Sequence, residues 1–191
     1  MTSSGEDART VLLIVDVQVG VVAQAWDAER IIGNIARAVD RARTAGVPVI
    51  WVQHISEELP SGSPAWRWAQ GLAPDAGEVR IEKRYNSAFE RTPLEAELAR
   101  LGAAHIVLAG AATNWCIRAT AYAALDRGYD LTLLSDAHTT ETMDLGEGRR
   151  IEAATVIEDL NLAMRWLEYP GRRNAVATVE AMDFGVAVAA R

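Results

Sequence analysis

The stretch AHIVLAGAATNWCIR, residues 104–118, decides the fold class of this chain. His105 to Ala109 is a short, apolar, partly β-branched run of the kind buried on both faces of a parallel sheet. Gly110-Ala111-Ala112-Thr113-Asn114 then turns the chain tightly into a helix. Cys116, the only cysteine in 191 residues, falls in the first helical turn, at the carboxyl end of the strand. Ligands bind along that edge of open α/β sheets, and a helix N-terminus favours a thiolate through its unpaired N–H groups and positive dipole end. A lone buried cysteine is equally a small hydrophobe. Reading it as a nucleophile therefore requires a base and a cation at neighbouring strand ends.

Working outward, the strand–helix alternation persists. Thr10 to Val15 is a continuous apolar run closed by Asp16, which suits a central strand covered on both faces. A haloacid-type phosphatase needs a second Asp two residues on, where Gln18 stands, and no GxxxxGK[ST] loop exists. Asp16 is left as an acid/base candidate. Residues 28–45 carry Ile31, Ile32, Ile35, Ala38, Val39 and Ala42 at helical spacing before Gly46. Val47 to His54 is a second strand. Residues 55–77 hold too many Pro and Gly for a long element, yet include Trp66, Trp68 and Leu72, so they form an anchored loop that serves as a lid or as packing. Glu78 to Lys83 alternates polar and apolar residues like a strand with one wet face, and Lys83 ends it. Thr92-Pro93-Leu94-Glu95 predicts a capping box for a helix carrying Leu94, Leu98 and Leu101.

After Cys116, residues 117–127 read as a helix and 129–135 as a strand ending at Asp136, with His138 beyond it. A last helical face runs from Ile151 to Leu167, and residues 175–180 add an edge strand. The expected fold is an α/β, three-layer, doubly wound and mostly parallel sheet of about six strands, with helices on both faces. One domain over residues 10–191 follows from the length and the apolar half of the composition, with a loose polar tail over 1–9.

Charge and composition narrow the function classes. A net charge of -7 disfavours nucleic acid and anionic lipid, and no apolar run reaches a membrane span of about 20 residues. The first nine residues lack the basic and apolar regions of a secretory signal, so a cytoplasmic location is expected. A small-molecule substrate and other copies of the chain remain as partners. No cofactor and no metal are expected: His54 has no His or Cys in the fifty residues that follow it with which to build a metal site. Trp26, His54, Trp66 and Trp115 lie on segments expected to line the mouth and are taken as candidate substrate contacts.

Asp16, Lys83 and Cys116 stand in LLIVDVQ, EKRYNSAFERTPLEAEL and VLAGAATNWCIRATAYAALDRGYDLTLLSDA. Through these motifs the chain resembles the isochorismatase-like cysteine hydrolases over nearly its whole length. The resemblance implies Asp16 as acid/base, Lys83 as its cationic partner and Cys116 as nucleophile, with the backbone N–H groups of Ala112 and Cys116 as an oxyanion hole. It also implies a non-proline cis peptide between Ala111 and Ala112. Members that cleave isochorismate lack the nucleophilic cysteine, so its presence favours attack on a carbonyl and hydrolysis of a small amide, lactam or ureide through a thioester. A vinyl-ether hydrolase and a non-catalytic binding protein are the alternatives. Nicotinamidases of the family carry an Asp and two His as metal ligands after the second strand, where this chain offers only His54. GSPAW, residues 62–66, and the C-terminal portion are similar to the streptothricin-hydrolase and N-carbamoylsarcosine-amidase branches.

Six tryptophans exceed what one small core readily hides, and large apolar patches mark interfaces. Sedimentation at micromolar concentration is expected to give a species of at least twice the 20.7 kDa chain mass; a monomer alone contradicts this.

Overall fold

The computed structural model describes residues 9–185. The tail expected over 1–9 lies outside them except for Arg9, which begins the first strand. The elements are β1 (Arg9–Val15), α1 (Val19–Val22), α2 (Ala28–Thr44), β2 (Val49–His54), β3 (Val79–Lys83), α3 (Leu94–Arg100), β4 (Ala103–Ala111), a π-helical turn (Thr113–Ile117), α4 (Arg118–Asp126), β5 (Asp130–Thr139), β6 (Met143–Asp144), β7 (Arg150–Ile151), α5 (Ala153–Trp166) and β8 (Asn174–Ala177). Six strands form one parallel sheet in the order β3-β2-β1-β4-β5-β8, and β6 and β7 make a separate antiparallel pair.

The sheet is covered on both faces, and β1 shows why its sequence has no polar alternation. Leu12 and Ile14 pack with Ile31, Ile35, Ala38 and Ala42 of α2 and with Val179, Met182 and Phe184. Val11, Leu13 and Val15 point the other way, towards Leu94 and Leu98 of α3, Ala121 and Leu125 of α4, and Leu160 and Met164 of α5. Each such Leu or Ile contributes about 1.5–3 kcal/mol on burial, so every core position of the strand must be apolar. The chain leaves β1 for β2 and β3 on one side and later returns to place β4 on the other. Asp16 and the turn after β4 therefore flank the point where the strand order reverses.

The structure differs from the sequence reading at the end of β5, at the start of the last helix and at Thr92. β5 does not stop at Asp136 but runs to Thr139, because the ladder resumes with Gly110 opposite His138 and Ala111 opposite Thr139. Ile151 belongs to β7, and the last helix begins at Ala153. The capping box at Thr92 is not closed among the described residues. The Thr92 hydroxyl accepts from the Leu94 amide and donates to the Ala88 carbonyl, while Glu95 turns to Arg127 at 3.5 Å. The 55–77 loop is docked along residues 65–69: Val19 N donates to Arg67 O, Gly20 N to Ala65 O and Ala69 N to Val17 O, and Trp68 meets Trp51 edge-on at 5.0 Å.

One glycine is fixed by the strand reversal. Gly110 pairs with Val15 across β1 and β4 and has φ +135, and a Cβ on it would lie 2.0 Å from the Val15 carbonyl oxygen. Gly110→Ala is expected to destabilise the protein by at least about 3 kcal/mol, from backbone strain plus forced strand separation. A urea midpoint unchanged from wild type would show that the two strands are not so closely held.

Candidate active site

Four neighbouring strands each deliver one polar group to the same edge of the sheet. Lys83 is the last residue of β3, His54 the last of β2, Asp16 follows β1, and Cys116 lies in the turn after β4. Their order across the edge is the order of the strands, so the tips of β2 and β1 separate Lys83 from the cysteine. Lys83 bridges that gap because its side chain is long and points inwards. It is in phase with Val79 and Ile81 on the buried side of β3, and it is itself 1% exposed. That phase is the signal in the sequence, since period-two counting puts Lys83 on the apolar face of its strand.

The Lys83 ammonium is the hub. Its Nζ lies 2.6 Å from Asp16 Oδ2, 3.0 Å from the Tyr85 carbonyl oxygen, 3.2 Å from Cys116 Sγ and 3.3 Å from His54 Nδ1. Asp16 is buried at a backbone φ of 54, in the left-handed region that Asp tolerates better than most residues. Its amide is tied to the Val52 carbonyl at 2.8 Å, and its Oδ1 has no hydrogen-bond partner among the described residues. Burial raises the Asp16 pKa, and the nearby Lys83 opposes the rise. His54 is held neutral, its pKa lowered first by burial and then by Lys83.

The thiol departs from expectation. Its place in the first turn suggests a depressed pKa, yet burial first, and the Asp16 carboxylate second, push Cys116 up to about 12 against the pull of Lys83. The resting sulfur is a neutral thiol beside a carboxylate. The turn that carries it is a widened π turn, with the amides of Trp115 and Ile117 both donating to Ala112 O at 3.1 Å. The Ala111–Ala112 peptide that leads into it is cis.

His138 and Asp136 serve this framework. His138, fully buried, bridges Thr113 Oγ1 at 2.9 Å and Asn161 Oδ1 at 3.0 Å, which ties the cysteine turn to α5. Its pKa is lowered to about 4, so the ring stays neutral. Asp136 accepts from the Val179 amide and is structural. Sequence reading missed Asn86, whose Oδ1 lies 3.9 Å from Cys116 Sγ, and Asn161, a polar residue on the buried face of α5.

Of the aromatic candidates, Trp115 is 55% and Trp26 41% exposed. Trp26 is fixed at the same edge by its amide on Thr140 O and its carbonyl on Thr139 Oγ1. Trp66 acts through its backbone, its carbonyl accepting from the side chains of Gln18 and Gln53. The structure thus joins His54 to the Asp16–Lys83–Cys116 cluster, and no hydrogen bond or ion pair among the described residues joins the three indoles to it.

Ligand atoms of Asp16, His54 and Cys116 lie within 4.8 Å of one another, a spacing compatible with a metal ion. All three, however, surround the Lys83 ammonium, whose positive charge stands where a cation held by these atoms would be repelled. The donor set fits a fixed ammonium and does not fit a resident divalent cation.

The Isochorismatase domain family matches residues 10–155. The streptothricin hydrolase of Streptomyces noursei is 32% identical over 145 residues, which cover 72% of this chain and 57% of that protein. The ureidoacrylate amidohydrolase of Methylobacterium radiotolerans is 29% identical over 174 residues, covering 69% of this chain and 67% of the relative. The chain therefore spans between about half and two thirds of the length of these relatives. Among solved structures, an isochorismatase from Pseudomonas putida KT2440 superposes with a TM-score of 0.82 at 27% identity, over 96% of this chain and 94% of that one.

The electrostatics give a counter-intuitive expectation. Asp16→Asn removes a charge that raises the thiol pKa and leaves Lys83 uncompensated. Alkylation of Cys116 by iodoacetamide at neutral pH should then accelerate, by about tenfold for each pKa unit recovered, while Lys83→Met should slow it. Slower alkylation in Asp16→Asn would mean that the loss of Asp16 as proton acceptor outweighs the lowered thiol pKa.

Proposed function

The chain belongs to the isochorismatase family, and from that premise we propose that it is a cysteine-dependent hydrolase of the C–N bond of a small amide, lactam or ureide, working through a thioester with Asp16, Lys83 and Cys116. The observation that carries the reading is that one buried ammonium touches both the carboxylate, at 2.6 Å, and the sulfur, at 3.2 Å. A structural role alone accounts poorly for it, because desolvating such ions costs several kcal/mol each and an apolar trio is usually at least as stable. Two relatives whose names describe hydrolases, one of them an amidohydrolase, point to the same chemistry.

The high thiol pKa dictates the order of events. Cys116 does not wait as a thiolate; Asp16 takes its proton as Sγ adds to the substrate carbonyl carbon. The raised pKa of Asp16 makes the carboxylate a competent acceptor, and Lys83 keeps it ionised until then. The amides of Ala112 and Cys116 receive the oxyanion, a contribution of about 3 kcal/mol per donor in other enzymes. The tetrahedral adduct collapses with cleavage of C–N, and Asp16 returns the proton to the departing nitrogen. The carboxylate next takes a proton from water as its oxygen adds to the thioester carbon; C–S then breaks and the sulfur recovers a proton. Asp16 must be ionised at the start, and its folded pKa is raised. Activity therefore declines as pH falls, beginning above the ordinary aspartate range.

Exposed Trp115 and Trp26 at the site edge supply flat apolar surface, which orients planar neutral amides without desolvating charge. Lys83 is occupied within the cluster, so a dicarboxylate such as isochorismate should be a poor substrate. Ammonia release across a panel of small amides, lactams and ureides tests the activity. Cys116→Ser is expected to lose nearly all turnover, and an undiminished serine variant sinks covalent catalysis. Trp115→Ala should raise KM more than it lowers the alkylation rate of Cys116; the reverse pattern makes Trp115 a support for the nucleophile. Dialysis against a chelator should leave turnover unchanged, and activity that tracks bound zinc or iron contradicts the proposed chemistry.

A further inference from the structure

The Lys83 ammonium has three protons and four acceptor atoms around it: Asp16 Oδ2, the Tyr85 carbonyl, His54 Nδ1 and Cys116 Sγ. The carboxylate and the carbonyl take two of the protons, and the imidazole nitrogen at 3.3 Å shares the third with the weakly accepting thiol at 3.2 Å. Lys83 can only donate, so Nδ1 must be the bare nitrogen of a neutral ring and Nε2 must carry the proton. Nε2 has no partner among the described residues, and the side chain is half-buried. Burial and the Lys83 charge both oppose a second proton on the ring. Lys83, Arg84, Asp16 and Cys116 are the titratable groups that face it, and only Asp16 pulls the other way among those that shift it.

His54 is also held in place with unusual care. Gln18, fully buried two residues after Asp16, accepts from the His54 amide at 2.7 Å and donates to the His54 carbonyl at 3.0 Å. The same amide group donates to the Trp66 carbonyl at 3.1 Å, so β1, β2 and the loop share one clamp around this residue. The clamp fixes the point from which the His54 side chain reaches Lys83.

We propose that His54 works in the site in two ways: its Nδ1 is the third fixed acceptor that orients Lys83, and its Nε2–H is a hydrogen-bond donor to the amide group of the substrate. This rests on the cysteine-hydrolase reading and adds to it a positioning and specificity residue outside the Asp16–Lys83–Cys116 trio. It assigns the preferred substrate an acceptor atom, a carbonyl or ureide oxygen, within reach of a neutral imidazole N–H.

Two measurements test this without any turnover. The chain has three histidines, so 15N spectra of histidine-labelled protein resolve the ring of each. His54 should be neutral at pH 7 as the Nε2–H form, and its pKa should rise in Lys83→Met. An Nδ1–H ring, or a pKa indifferent to Lys83, overturns the proposal. The second measurement uses iodoacetamide, itself a small amide, in saturation alkylation of Cys116. His54→Asn keeps a near acceptor for Lys83 but lacks the far donor. It should weaken saturation roughly five- to tenfold, the effect of one hydrogen bond, with the maximal rate nearly unchanged. His54→Leu removes both and should change the maximal rate as well. If both variants saturate like wild type, or lose maximal rate equally, His54 is structural and the proposal fails. Neither readout needs amide hydrolysis, so an inactive Cys116→Ser or a silent substrate panel bears on the cysteine-hydrolase reading separately.

Discussion

Everything at the carboxyl edge of this sheet answers to one buried ammonium. Lys83 and Asp16 are both almost wholly removed from water, and an unpaired charge there would be prohibitive. Pairing alone is not sufficient, because an ammonium has three protons and each needs an acceptor. The strand order provides them: Asp16 from β1, His54 from β2 and the Tyr85 carbonyl from the chain just past β3. The sulfur is a fourth neighbour, within 4.8 Å of the carboxylate that the proposed chemistry makes its proton acceptor. The structure tolerates an arrangement that costs stability, and the core on either face of β1 compensates by being entirely apolar.

The thiol shows how two correct principles are ranked by magnitude. A helix terminus near Cys116 does favour a thiolate, by about 0.3–1 kcal/mol and at best about 2 kcal/mol. Burial plus an adjacent carboxylate pushes the pKa up to about 12, which is about 4 kcal/mol in the other direction. The larger effect prevails, so the cysteine rests protonated, and the proposed chemistry has the base act during attack. The widened turn at Thr113–Ile117 is consistent with this ranking, since α4 itself begins only at Arg118. Thr113, His138 and Asn161 brace the turn through hydrogen bonds in which burial keeps the imidazole neutral.

The amino-acid sequence by itself determined the alternation of buried strands and amphipathic helices, the strand ends at Asp16, His54 and Lys83, and the candidate trio. These features are local: apolar runs stop where a charge appears, and period two places Lys83 in phase with Ile81. The tertiary structure alone decided what depends on neighbours distant in the chain. Only the strand order shows that Lys83 must reach past His54 to the cysteine, which makes a suspected substrate contact a partner of the lysine as well. Only the ladder shows β5 running on to carry His138 into the bracing chain, and only burial sets the direction in which the thiol titrates. Desolvation and cross-strand hydrogen bonding are sums over residues far apart in sequence, and no pattern along the chain records them.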